Sequence, residues 1–268
     1  MKLSFLLCEP VGELSELAAR MEQLAEFGYQ GVELTAKYPF DYSLDEVAAV
    51  SERFNLPVVS LLSGWSYSNE GFCLCSPDGK IRAAAVARLK DYLDAAAKLH
   101  AVLVVGLMQG LRSDEPDDVF ASSRIAACLT EAVQRAQDQN VTLVIEPVNH
   151  LQVGFHHTAD EVGELVQGIG SPALGYMLDT IHMNIEERSV IETIRRHGRH
   201  IRHFHLCDSN GGPFGSGNLD FTSVLQALEA SGYEGFTSVK IYRKLPWHDA
   251  AQQAIDYVRR IGVFPHSS

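Results

Sequence analysis

Eight short apolar runs rich in β-branched residues, each followed by a stretch of helical periodicity, constrain this chain more than any single motif. They cover Lys2–Leu7, Gly31–Leu34, Val58–Leu62, Val102–Leu107, Thr142–Pro147, Leu174–Asp179, Ile201–Leu206 and Phe236–Tyr242. Apolar runs of this length without polar alternation are what parallel strands covered on both faces look like. Between them, Leu14, Leu17, Met21 and Leu24 share one helix face, as do Ala85, Leu89, Tyr92, Leu93 and Ala96. The same holds for Ile125, Cys128, Leu129, Ala132, Val133 and Ala136, and for Ala251, Ala254, Tyr257, Val258 and Ile261. Gly28, Gly170, Gly198 and Gly232 stand where left-handed helix caps are expected. Eight strands alternating with about eight helices in 268 residues predict an α/β fold, a closed (β/α)8 TIM barrel spanning 1–268 as one domain. The competing architecture, a doubly wound open sheet, lacks the glycine-rich dinucleotide turn after a strand. Two strand-to-helix connections, Ser63–Lys80 and Gln109–Ser122, are long, and read as loops lying over the active end of a barrel.

The net charge of −12 argues against nucleic acid or an anionic membrane as partner, because phosphates are bound by a basic footprint. The start MKLSFLLCEP superficially resembles a secretion signal, but its apolar run is short and acids follow at once. A buried first strand is expected instead, in a cytoplasmic protein. No apolar stretch approaches the length of a membrane span. The five cysteines lack framework spacing, which suits a reducing compartment, and Cys73 and Cys75 read as loop residues. The glycine-rich segment 209–218 lacks the lysine of a phosphate loop and reads as a mobile loop.

The chemistry is concentrated at strand ends. Glu146 closes one strand, Asp179 the next, His205 the seventh, and Lys240 stands at the corresponding place on the last. Period two puts Val144 with Glu146, His203 with His205, and Ser238 with Lys240 and Tyr242 on the inner face. Leu143, Ile145, Phe204, Leu206, Val239 and Ile241 then face the helices. A single inward histidine is usually a hydrogen-bonded core residue, and a single glutamate can cap a helix. Several buried carboxylates at one rim need cations nearby, which favours a functional site over separate structural roles. A mixed carboxylate and imidazole set suits Mn2+, Zn2+, Co2+ or Mg2+.

The segments EPVNH (146–150), LDTIHMNIEE (178–187), HFHLCDSN (203–210) and PFGSGNLDF (213–221) resemble the xylose-isomerase-like barrel superfamily, and within it the ketose 3-epimerases and hydroxypyruvate isomerases. The resemblance runs through the chain in order and is strongest from Glu146 onward. It implies that Glu146, Asp179 and His205 bind one divalent metal together with a last-strand glutamate. It implies further that the two glutamates act as acid and base on opposite faces of the substrate, and that His182 contacts the sugar. Three positions depart from the pattern. The last-strand glutamate is Lys240, an arginine that meets the substrate is Gly211, and an acid after the first glutamate is Gln152.

The implied function is a divalent-metal-dependent isomerase or epimerase of a small sugar, ketose or keto-acid. Proton abstraction beside a carbonyl passes through an ene-diolate, with Glu146 as first base. Several roles are open for Lys240: a second acid or base with depressed pKa, a fixed charge that leaves the metal weak or absent, a Schiff-base amine, or a structural ion pair. Further substrate contacts are expected from Asn149 and His150 after the first ligand, Trp65 in the long third loop, Gln109, Glu187 and Arg243. Arg243 suits an acid-sugar carboxylate. A homo-oligomer is compatible with the helical exterior. The rival functions are an endonuclease-IV-like metal phosphodiesterase and a non-catalytic sugar-binding barrel.

Overall fold

A computed structural model describes residues 1–262. The expected strands form β1 (Lys2–Leu7), β2 (Gly31–Thr35), β3 (Val58–Leu62), β4 (Val102–Val105), β5 (Leu143–Ile145), β6 (Leu174–Asp179), β7 (His203–Leu206) and β8 (Phe236–Val239). All neighbours pair in parallel and β8 pairs with β1, so the sheet closes into the predicted barrel. The helices are α1 (Leu14–Phe27), α2 (Leu44–Phe54), α3 (Gly64–Glu70), α4 (Gly79–Leu99), α5 (Asp118–Asp138), α6 (Ala159–Ile169), α7 (Thr180–Glu186), α8 (Val190–His197), α9 (Phe221–Ala230) and α10 (Trp247–Ile261).

The strand faces divide as period two requires. Leu143, Ile145, Phe204, Leu206, Val239 and Ile241 belong to the large core between sheet and helices. Inside the barrel, Val104, Val144 and Met177 form a separate small apolar cluster on the β4–β6 side. The opposite arc is polar: Ser4 bonds Ser238 at 2.6 Å, and Glu33, Ser60, His203 and His205 are all buried there. A barrel interior packed with Val and Met on one side and a carboxylate–imidazole layer on the other is the platform on which the rim residues stand.

Four strands are shorter than the sequence suggests. β4 stops at Val105, where Gly106 leads into a single 3-10 turn over Leu107–Gln109, and β8 stops at Val239. β5 is confined to Leu143–Ile145, so Glu146 follows the strand instead of closing it, and β7 begins later, at His203. The long connections are also more ordered than bare loops. Ser63–Lys80 contains all of α3 and the start of α4. Gly198 is not a left-handed cap: its φ is −54°, whereas Gly28 and Gly170 are left-handed. The segment 209–218, expected to be mobile, is tied down by buried Asp208. The Asp208 Oδ2 atom accepts the N–H groups of Gly215 (2.9 Å) and Gly217 (3.0 Å). No described helix is long and apolar enough to cross a membrane.

Local signals explain the helix starts. α2 and α6 begin with reciprocal capping boxes, Ser43 with Glu46 and Thr158 with Glu161, each cap contributing about 1 kcal/mol. The start of α7 bears directly on the site. Asp179 is both the last residue of β6 and the N-cap of α7, its Oδ1 accepting the Ile181 N–H at 3.0 Å. That bond fixes the carboxylate and leaves Oδ2 facing the barrel axis.

Candidate active site

Five side chains from four strand ends and one helix meet at the barrel mouth. Lys240 Nζ donates to Asp179 Oδ2 at 2.7 Å and lies 3.9 Å from Glu146 Oε1. His205 Nδ1 lies 3.3 Å from Asp179 Oδ2 and 3.7 Å from Glu146 Oε1. His182, on α7, places Nε2 3.6 Å from Glu146 Oε1 and 3.8 Å from Asp179 Oδ2. Its other nitrogen, Nδ1, is 2.7 Å from Asn149 Nδ2, which fixes the ring. Glu146 Oε1 is buried and has no hydrogen-bond partner.

Beneath this group lies a carboxylate that strand-end reasoning did not reach. Glu33, at the middle of β2 and fully buried, receives both histidines of β7. His205 Nε2 is 3.0 Å from each of its oxygens and His203 Nε2 is 3.2 Å from Oε2. Ser60 donates to its Oε1. The signal lies in GVELT: Val32 and Leu34 face outward, so a carboxylate between them must face inward. A carboxylate behind an imidazole orients the ring and raises its basicity.

The charges are strongly coupled. Burial alone would lower His205, but Glu33 and Asp179 outweigh it and push its pKa up to about 10. Burial opposes ionisation of Asp179, yet Lys240, His182 and His205 hold it well below the ordinary carboxylate range. Glu33 is likewise kept ionised against burial by His205 and His203. Burial raises Glu146 above its ordinary value, with Lys240 and His205 pulling against it. Burial lowers His182 to about 3, so its ring is neutral. For Lys240, burial is outweighed by Asp179 and Glu146, and its pKa rises instead of falling. This arrangement holds Lys240 as an ammonium, whereas the depressed-pKa and Schiff-base roles both need a neutral amine.

A cavity of about 380 Å3 opens above the group, within the usual range of small-ligand sites. Glu146, His182 and Lys240 form part of its lining, with Trp65, Leu62, Thr35, Gln152 and Tyr242 around them. Trp65 arrives on α3, as expected of the third connection. The other anticipated contacts stand elsewhere. Gln109 is buried beneath the rim, its Nε2 donating to the Glu146 carbonyl oxygen (2.9 Å) and its Oε1 3.0 Å from His156 Nδ1. His150 is exposed, with its N–H and Nδ1 both on Glu186 Oε1. Glu187 accepts the Ala159 N–H and the Thr193 hydroxyl, tying α6 to α8. Arg243 is exposed, and its backbone N–H meets the Gly211 carbonyl (3.1 Å).

Glu146, Asp179 and His182 form a buried group of metal-holding composition, with one donor atom from each within 4.8 Å of the others. The unpartnered Glu146 oxygen and His205 Nδ1 add to the same convergence. The donors thus fit a divalent cation, while the Lys240 ammonium already stands on Asp179 Oδ2.

Residues 21–261 match the family model described as xylose isomerase-like TIM barrel. The chain belongs to that family. An L-ribulose 3-epimerase of Mesorhizobium japonicum is 29% identical over 223 residues, covering 82% of this chain and 73% of the relative. Hydroxypyruvate isomerase of Escherichia coli is 26% identical over 232 residues, covering 82% and 86%. A solved D-psicose 3-epimerase from Clostridium cellulolyticum superposes with a TM-score of 0.83 at 22% identity, covering 97% of this chain and 99% of that one. The resemblance drawn from 146–150, 178–187, 203–210 and 213–221 is borne out, as is the sugar isomerase or epimerase reading built on it.

Proposed function

We propose that the protein is an isomerase or epimerase of a small ketose or keto-acid, moving a proton beside a carbonyl through an ene-diolate. One observation carries the reading most directly. Glu146, a buried carboxylate with a free oxygen and a raised pKa, faces the cavity between a neutral imidazole and a fixed ammonium. A general base must reach its proton unblocked and must not be held too strongly as the anion. Burial supplies the second condition and the unpartnered Oε1 the first. The relatives named as ketose 3-epimerase and hydroxypyruvate isomerase support the same substrate class.

In this mechanism Glu146 takes the proton, and Lys240 supplies positive charge and a hydrogen bond where oxyanion charge develops. His182, neutral and steered by Asn149, donates from Nε2 to a substrate oxygen. Asp179 keeps the ammonium in place, and Trp65 with Leu62 excludes water. Glu146, Asp179 and His205 would hold one divalent cation (Mn2+, Zn2+, Co2+ or Mg2+), weakened by Lys240. When bound, it supplies Lewis-acid stabilisation of negative charge on the substrate oxygens.

The test is solvent deuterium wash-in to short ketoses and keto-acids, with each metal added back. Exchange in wild type, falling about 100- to 10,000-fold in Glu146→Gln, is expected. Ligand binding without exchange under every metal condition would instead identify a non-catalytic sugar-binding barrel.

A further inference from the structure

A second donor group lies outside the barrel mouth, under α3. The C-x-C segment that follows α3 turns both thiols to one side, with Cys73 Sγ and Cys75 Sγ 3.2 Å apart. Both residues are almost completely buried, at 2% and 0% exposure. Asp114, on the segment after the Leu107–Gln109 turn, brings a carboxylate oxygen within 4.8 Å of both sulfurs. All three donors converge on the bare face of Gly110. A Cβ built there would lie 2.3 Å from Cys73 Sγ, 2.6 Å from Cys75 Sγ and 3.2 Å from Asp114 Oδ2. Gly110 has φ +93°, a backbone conformation that L side chains rarely adopt, and its missing Cβ lets both sulfurs lie directly against the backbone.

We propose that Cys73, Cys75 and Asp114 form a binding site for a thiophilic divalent cation of the Zn2+ class, independent of the barrel centre. Two sulfurs and one carboxylate select a borderline-soft ion over Mg2+ or Ca2+, and three protein donors leave a fourth position open. Asp114 is held as a metal-bound carboxylate usually is: its Oδ2 accepts the Leu111 N–H and the Tyr67 hydroxyl, each at 2.8 Å. Arg124 donates to the Cys75 carbonyl oxygen at 3.3 Å and is ion-paired with Glu115, so it holds the Cys75 backbone in place with its charge already compensated. Asp114 is only half-buried, which gives the ion a way in. Buried thiols that act merely as small apolar groups would not require a carboxylate aimed at the same point. The consequence is mechanical. Tyr67 belongs to α3, which carries Trp65 into the cavity, so an ion here would pin that helix to the β4 end of the barrel.

Co2+ is the probe. The full chain, reduced and stripped with chelator, is titrated with Co2+ while sulfur-to-cobalt charge-transfer absorption is followed. Saturating Co2+ should produce the band, and Zn2+ should erase it. Glu146→Gln, which alters only the barrel centre, should keep the band, and the Cys73→Ser/Cys75→Ser double variant should lose it. Tyr67→Phe, a conservative change away from the sulfurs, should weaken Co2+ binding about tenfold or more. Absence of the band in reduced wild type overturns the proposal. So does its persistence in the double variant, or a disulfide between Cys73 and Cys75 that re-forms in the presence of Zn2+.

Discussion

Replacing Lys240 by glutamine tests the electrostatic reading of the barrel mouth at its centre. Lys240 is 15% exposed at the side chain and Asp179 is 0% exposed, so their 2.7 Å contact is a buried ion pair. Removing one member of such a pair leaves an uncompensated charge and costs about 3–5 kcal/mol. Asp179 keeps the Ile181 N–H and His205, which places the cost nearer the lower figure. At about 2–4 °C per kcal/mol for a domain near this size, melting in EDTA should fall by about 6–12 °C. The same change removes a positive charge from beside the donors of the proposed metal. A unit charge repels a dication 4 Å away by about 8 kcal/mol at an effective dielectric of 20, an upper bound. A quarter of that, about 2 kcal/mol, would tighten metal binding about 30-fold. Metal at about 100 times its dissociation constant would then return about 2.7 kcal/mol, close to the whole loss. Thermal unfolding of both proteins in EDTA and in Mn2+ or Zn2+ is the assay. A variant that melts within about 2 °C of wild type in EDTA, or gains no more from metal than wild type does, would refute the reasoning.

Glu33→Gln removes the anion behind His205 and should weaken divalent binding about 10- to 100-fold by titration calorimetry; equal affinity would deny Glu33 its orienting role. Asn149→Ala frees the His182 ring and should lower kcat for proton exchange about 10- to 100-fold with KM nearly unchanged, whereas a change in KM alone would make Asn149 a plain binding contact. The His182 pKa lies below its ordinary value chiefly through burial, at about 3. The unfolded chain therefore binds this proton first as pH falls. His182 contributes stability above its unfolded value of 6.5 that is lost between there and about pH 3. Urea unfolding across that window should be shallower in pH for His182→Gln, by up to about 1.4 kcal/mol per pH unit. Parallel curves would contradict the neutral, buried ring.

The barrel was legible because it rests on periodicity. Strand faces such as Leu143–Ile145 and Phe204–Leu206 are set by alternation, which any strand must obey. The rim residues Glu146, Asp179, His205 and Lys240 followed from the same rule, since charged side chains turned inward at neighbouring strand ends must compensate one another or hold a ligand. Glu33 obeyed that rule too and was missed because it lies mid-strand, where a buried carboxylate makes sense only once His203 and His205 are known to face it. His150, Glu187 and Arg243 show the converse weakness. They follow site residues in sequence, but beyond a strand end the chain turns freely, and adjacency no longer fixes direction. The Cys73–Cys75–Asp114 group was illegible for a similar reason, since it depends on two loops folding against Gly110.

Position 240 decides what the rest of the mouth can do. Glu33, Asp179 and Glu146 bring three carboxylates into one buried volume, with His205 as their shared neighbour. A fourth carboxylate at 240 would add a negative charge that His205 alone could not offset, and a bound cation would then be needed. Lysine reverses that position by two units of charge and saturates Asp179 Oδ2 directly. Glu146 Oε1 is consequently left without a partner, 3.9 Å from the ammonium and 3.6 Å from a neutral imidazole. A base released from close pairing and a cation fixed beside it are two of the elements needed to form and hold an ene-diolate. On the proposed mechanism, lysine at this position would keep the proton chemistry while loosening its dependence on metal, and the Lys240→Gln variant should invert that balance.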